Sequence, residues 1–372
     1  MATQSIKSDA LEPDLSDLRG KGAKGFLTRA VRLLPVYGLV LMTLLLIVIF
    51  SILLPDTFFT WMNARLILSN QSGIALLALA AMIPMVAGKI DLSIGYGIVL
   101  WEVLAISLQT NYHLPWLLVM LILLFLGGIF GLINTLLVEF ARIDAFIATL
   151  GTGTVVYALA LWHTNGQQVI GEIPDSFLQL ANGSVFDIPL PAIYVLILSL
   201  FFWVILDYLP LGRCLYAVGA NPEAARLNGI PNRLYIALAF VTSGVVTAFA
   251  GVVLASKLRI GQIGVGLDYL LPALVAAFLG STTIKPGRVN VWGTIVAVII
   301  LAIGISGLQQ LGGAFYVEPL FNGLCLLMAI GLAGFAGRRR VALRKKEELI
   351  QRDPKHPAST PVTETPRSTK TN

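Results

Sequence analysis

Three features of the sequence point to an all-α polytopic membrane protein with about ten transmembrane helices and both termini in the cytoplasm. Of its 372 residues, 56% are hydrophobic and 12% charged, with a mean hydropathy of +0.82, whereas soluble domains carry about 25% charged residues. The apolar residues gather in ten runs, each near the ~20 residues that a bilayer core demands. With the termini inside, 23 of the 26 Lys and Arg fall on one side of these runs, and only Arg65, Lys257 and Arg259 fall on the other. The net charge of +6 therefore reads as membrane orientation and not as a nucleic-acid footprint.

Taken in order, residues 1–33 form a polar, Lys/Arg-bearing cytoplasmic tail expected to stay unstructured. The first run, 34–54, is long enough to span and would act as an uncleaved anchor; no signal peptide is read before it. The next three runs lie at 66–87, 94–109 and 114–138, the third being short and carrying Glu102. The fifth, 145–162, follows a short basic turn and leads to an external loop, His163 to Pro189, that holds no Lys or Arg. Polar residues there, Asn165, Gly166, Gln167, Asp175, Asn182 and Gly183, offer a surface to a partner outside. Runs at 191–208, 234–255, 267–283, 289–311 and 317–336 complete the transmembrane domain, 34–337. Gly127, Gly128, Gly131, Gly151, Gly153, Gly331, Gly334 and Gly337 lie within spans, where small residues let helices approach closely. From 338 to 372 a basic and then polar cytoplasmic tail closes the chain.

Three stretches hold the polar chemistry. The cytoplasmic loop 209–233 contains a short helix with both ends marked. Asn221 suits the cap, Pro222 the first helical position and Glu223 the first turn, where the helix dipole favours a carboxylate. Gly229 supplies a left-handed stop and Pro231 prevents continuation. Ala224 and Ala225 are expected on its surface, small enough for another protein's groove to close on. The same letters also fit an ordinary capped linker.

The second stretch, Val86 to Gly95, breaks the apolar pattern with Gly88, Lys89, Asp91, Ser93 and Gly95. It reads either as a hinge or pathway lining, or as a tight turn with a screened ion pair. The third is a scatter of polar groups inside spans: Asn70, Gln71, Asn134, Asn322 and Glu102, the last about 12 Å along its helix from Ile94 by helical rise. With Asp91 and Ser93 these are the candidate solute-pathway or hinge residues; hydrogen-bonding groups in a bundle bind a polyhydroxylated solute or glue helices together.

Catalytic patterns are missing. There is no phosphate-binding glycine loop, no His-Glu-x-x-His and no Gly-x-Ser-x-Gly, and the histidines His113, His163 and His356 all lie outside the spans. Cys214 and Cys325 lack metal-ligand spacing. No catalytic residue, metal site or bound cofactor is expected on this chain, which is read as a non-enzyme.

At Glu223-Ala224-Ala225-x-x-x-Gly229 the letters match the EAA---G signature of permease subunits of bacterial ABC importers. Gly88 to Gly95 resembles the GGIDLSVG segment of the ribose/xylose/galactoside permease family, and Phe146 to Thr152 its FIATLGT. Leu215 to Asn221 is similar to its AVGxN segment, and Gly280 to Arg288 resembles its GGTSLxGGxG loop. Lys89, Ser281, Lys285-Pro286 and Asn290 depart from those patterns and bear on the branch and the solute.

The resemblance implies a permease subunit of an ATP-driven importer of a monosaccharide or related polyol, working by alternating access in the bacterial inner membrane. It implies a cytoplasmic ATPase partner that binds ATP and Mg, a periplasmic or extracellular solute-binding protein, and a second permease chain, identical or paralogous. Glu223, Ala224, Ala225 and Gly229 would couple the spans to the ATPase through the 222–228 helix. A branched-chain amino-acid permease of the same superfamily is the neighbouring alternative. An ion-coupled secondary transporter is the alternative from another class.

Overall fold

The computed structural model describes residues 39–328. The tails read at 1–33 and 338–372, the end of the tenth run, and Gly331, Gly334 and Gly337 lie outside the described residues.

Ten apolar helices are present among the described residues. Seven are long enough to cross a membrane and three are shorter, at Leu39–Leu53, Val265–Gly280 and Val317–Met328. In chain order the helices are α1 (Leu39–Leu53), α2 (Trp61–Val86), α3 (Ser93–Thr110), α4 (Trp116–Thr135), α5 (Ala145–Thr164), α6 (Asp175–Asn182), α7 (Leu190–Asp207), α8 (Pro210–Ala220), α9 (Pro222–Leu227), α10 (Asn232–Leu258), α11 (Val265–Gly280) and α12 (Val291–Gln310), then α13 (Val317–Met328). Every predicted run holds one of the ten.

Helix α2 starts earlier than its run because its first polar residues are satisfied in helical form. Thr60 caps it through Asn63 N at 3.2 Å. Asn63 is itself buried; its amide donates to Phe58 O at 2.7 Å and accepts from Gln310 of α12 at 2.9 Å. At the other end of the bundle, α4 passes into a π-helical turn, Leu136–Phe140, a rare geometry that widens the last turn and re-aims its side chains.

Helix α10 is the axis, packed on α2, α3 and α4. Its crossing with α4 is close enough to need glycine on both sides: a Cβ on Gly127 would lie 2.5 Å from Gly244 O, and one on Gly244 would overlap Gly127 O. Helix α3 has 78% of its apolar window buried and α7 only 22%, so α3 belongs to the core while α7 lies on the outside of the bundle. Helices α11 and α12 pair with each other and close against α2.

Between α5 and α7 lie two elements that the apolar pattern does not reveal. Helix α6 buries Phe177 and Ala181, and its Ala181 N donates to Ser256 Oγ of α10 at 3.0 Å. After it comes a two-residue hairpin, β1 (Ser184–Val185) with β2 (Ile188–Pro189). Nearby, Val169 exchanges backbone hydrogen bonds with Gly261 at 3.0 and 2.9 Å, tying this loop to the α10–α11 connection.

A candidate coupling helix and the buried polar node behind it

Helix α9 is built as its letters dictate. Asn221 accepts from Ala224 N at 3.0 Å as the cap, and Pro222 stands at the first helical position, where its missing N–H is not needed. At the far end Ile230 N donates to Ala225 O at 3.1 Å and Gly229 N to Arg226 O at 3.0 Å, with Gly229 at φ +78°. This is a Schellman stop, which requires the left-handed conformation glycine adopts without strain. Asn232 Nδ2 reaches back to Pro222 O at 2.7 Å and fixes α9 to the start of α10.

Glu223 does not cap the helix. Its carboxylate accepts from Arg226 at 2.6 Å, both side chains being about two-thirds exposed. Ala224 is exposed, but Ala225 is not on the surface as its letters suggested: it is buried at 4% exposure, on the face that α9 turns to α8 and α10. A two-turn helix lying on other helices must give one side to them. The outward side carries instead Leu227, 78% exposed, a residue the reading of the sequence passed over; its signal was a lone large apolar side chain in a polar loop.

Helix α8 connects α9 to the spans. Gly219 and Gly88 touch backbone to backbone: a Cβ on Gly88 would lie 3.1 Å from Gly219 O, and one on Gly219 would overlap Val86 O. On its other side Tyr216 donates to Val289 O at 2.7 Å, and the Arg288 guanidinium lies 3.4 Å from the Tyr216 ring centroid. Burial pushes the Tyr216 hydroxyl up to about 12, with nearby Asp207 acting the same way and Arg288 opposing it. Lys285 pairs with Asp207 at 2.6 Å. Helix α8 is thus held between the α2–α3 break and the 281–289 loop.

The break itself, residues 87–92, is non-helical, with Gly88 at φ +75°. Lys89 and Asp91 do not pair with each other. Lys89 reaches Glu139 on the π-helical turn at 3.4 Å, whereas Asp91 turns inward and is 2% exposed. Asp91 accepts from Ser93 N at 3.0 Å, from Ser93 Oγ, and from Ser243 Oγ of α10 at 2.8 Å. Asn134 of α4 donates to Ser93 Oγ at 2.9 Å and accepts from Thr152 of α5 at 2.6 Å. Thr149 of α5 accepts from Leu92 N at 3.0 Å. One buried node therefore joins α3, α4, α5 and α10 through short-range polar contacts, and its three donors satisfy the Asp91 carboxyl, as burial of so polar a group requires.

Of the candidate pathway residues, Asp91, Ser93 and Asn134 meet in this node; Asn70, Gln71, Glu102 and Asn322 make no hydrogen bond to it. Asn70 accepts from Lys257 at 3.0 Å near the opposite end. Gln71 lines a mostly apolar cavity of about 710 Å³ bounded by α1, α2, α7 and α12. Asn322 is buried in α13, its Oδ1 without a partner among the described residues. Glu102 is fully buried; Oε1 accepts from Gln262 N of the α10–α11 connection at 3.0 Å, and Oε2 has no partner among the described residues. Thr149, Thr152 and Ser243 escaped the sequence reading because hydroxyls in apolar helices are common and usually bond their own helix. Among the described residues no three His, Cys, Asp or Glu side chains are placed to hold a metal.

Known proteins resemble this chain over most of its length. Residues 63–333 match the family described as branched-chain amino acid transport system / permease component. The ribose import permease protein of Haemophilus influenzae is 30% identical over 301 residues, 80% of this chain and 93% of that one. An autoinducer 2 import system permease protein of Enterobacter sp. (strain 638) is 32% identical over 306 residues, 77% and 90% of the two chains. The D-allose transport system permease protein of Escherichia coli is 28% identical over 296 residues, 80% and 90%. No solved structure matches the chain. Spanning helices, the marked helix α9 and a family match over most of the chain lead to one conclusion: the chain belongs to this permease family and is the membrane-spanning subunit of an ABC importer.

Proposed function

We propose that the chain carries a monosaccharide or related polyol across the bacterial inner membrane by alternating access, driven by a separate cytoplasmic ATPase that binds ATP and Mg. A solute-binding protein delivers the solute from outside, and a second permease chain, identical or paralogous, completes the pathway. Relatives named for ribose, D-allose and autoinducer 2 import support this solute class.

The observation that carries the mechanism is the contact chain from α9 to the core. Closure of the ATPase moves α9, gripped at Glu223, Ala224 and Leu227, with Ala225 and Gly229 keeping its shape. Because α8 touches the α2–α3 break through Gly219 and Gly88, the displacement passes to Asp91 and hence to α3, α4, α5 and α10. Two arrangements of that node then differ in their affinity for the two ATPase states, which is what a conformational shift requires. Asn134, Ser93 and the free oxygen of Glu102 offer hydrogen bonds to solute hydroxyls when the helices part.

Crosslinking tests this. With Leu227→Cys and the partner ATPase, a short bifunctional reagent should join the two chains, in a yield that changes when a non-hydrolysable ATP analogue is added. A yield equal to that of Phe186→Cys, on the far hairpin, would refute the docking role.

A further inference from the structure

At the end of the bundle that bears α9, a cavity of about 660 Å³ opens between the α2–α3 break, the π-helical turn of α4, and the starts of α5 and α10. Three cations line it, Lys89, Arg142 and Arg233, with two carboxylates, Glu139 and Asp144. Both carboxylates are engaged: Glu139 pairs with Lys89 at 3.4 Å, and Asp144 caps α5 by accepting from Phe146 N at 3.0 Å. Arg142 and Arg233 have no carboxylate within ion-pair distance among the described residues. Arg233 instead lies 5.0 Å from the Phe140 ring centroid. Arg142 holds a left-handed backbone, φ +58°, which costs energy for a residue with a Cβ.

Beside this cationic cavity the outer surface is apolar. Phe140 is 60% exposed, Phe146 50% and Ile147 64%. The charge count places this end at the cytoplasmic leaflet, so these side chains face acyl chains just below the headgroup layer. We propose that the cavity binds the phosphate headgroup of an anionic phospholipid of that leaflet. The planar donor groups of Arg142 and Arg233 suit phosphate oxygens, and basic pockets between helices at this depth suit lipid headgroups. Free phosphate has the same charged group but nothing to lay against Phe140, Phe146 and Ile147. The bound lipid would sit on Lys89 and Glu139, at the break through which α9 reaches the core. The inference rests on the chain's orientation in the membrane and not on its solute.

The test is native mass spectrometry of the full-length permease extracted from vesicles of equal parts phosphatidylglycerol and phosphatidylcholine. The wild type should retain phosphatidylglycerol about tenfold better than the Arg142→Gln/Arg233→Gln double variant, whereas Arg259→Gln, at the other end, should behave as wild type. Both arginines are exposed, so the double variant is expected to fold; the two single variants, each with a smaller loss, give the same reading if it does not. Equal retention by wild type and variants overturns the proposal. Displacement of the lipid by millimolar inorganic phosphate, with phosphate retained in its place, overturns the lipid assignment in favour of a free-anion site. Neither result touches the permease reading, which uptake measurements address separately.

Discussion

In the proposed mechanism, docking turns on Leu227 and Glu223. A leucine this exposed on a helix outside the spans gains its burial only from a partner, and burying most of that side chain is worth about 2 kcal/mol. Leu227→Ala should therefore weaken ATPase binding by roughly tenfold or more, measured by titrating labelled ATPase onto the permease in nanodiscs, with no loss of melting temperature. The Glu223–Arg226 pair is solvated and adds little to stability. Asp91 is the opposite case. Asp91→Ala leaves the Ser93 and Ser243 hydroxyls without their acceptor and should cost roughly 3 kcal/mol, seen as a lowered melting temperature; Asp91→Asn, which keeps an acceptor oxygen, should cost less. Tyr216 has its folded-state value raised to about 12 against ~10 when unfolded. Its stabilising contribution is thus fully present below about pH 10 and lost as pH rises towards 12, so the stability gap between wild type and Tyr216→Phe should be flat from pH 5 to 9. The cap, first-turn proline and glycine stop of α9 were legible as letters because each acts on its own backbone. The burial of Ala225 and the partners of Asp91 were not, because both are decided by residues distant in sequence.

At the scale of elements, the crossing of α4 and α10 depends on Gly127 and Gly244 lying backbone to backbone. Lipid tails are as apolar as leucine, so helices in a bilayer associate through such close packing. Gly244→Leu should destabilise by on the order of 2 kcal/mol or more, with lower yield and melting temperature, whereas Gly151→Leu, where no atom lies within 4 Å of an added Cβ, should be neutral. Hydrophobic runs made the ten apolar helices legible, since length and apolarity are what a bilayer selects. Helix α6, helix α8 and the π-helical turn were not: α6 and α8 are amphipathic and short, and a π turn leaves no mark in composition. The start of α2 was misplaced for a related reason, since Asn63 reads as a loop residue until Phe58 and Gln310 are seen to satisfy it.

At the scale of the molecule, the charge count makes a statement about sides. Lys89, Arg142 and Arg233 share one cavity, Arg213, Lys285 and Arg288 another beside α8, while Arg65 pairs with Asp187 on the hairpin. In spheroplasts of a strain with Cys214 and Cys325 replaced by serine, an impermeant maleimide should label Phe186→Cys and spare Leu227→Cys; the reverse pattern would invert the orientation. In the proposed mechanism, α9 transmits ATPase closure to the buried node. That transmission is tested most directly by ATP-driven uptake in proteoliposomes holding permease, ATPase and solute-binding protein, with wild type compared with Glu223→Lys. The variant should insert and fold as wild type but import nothing; uptake at the wild-type rate would refute transmission through α9.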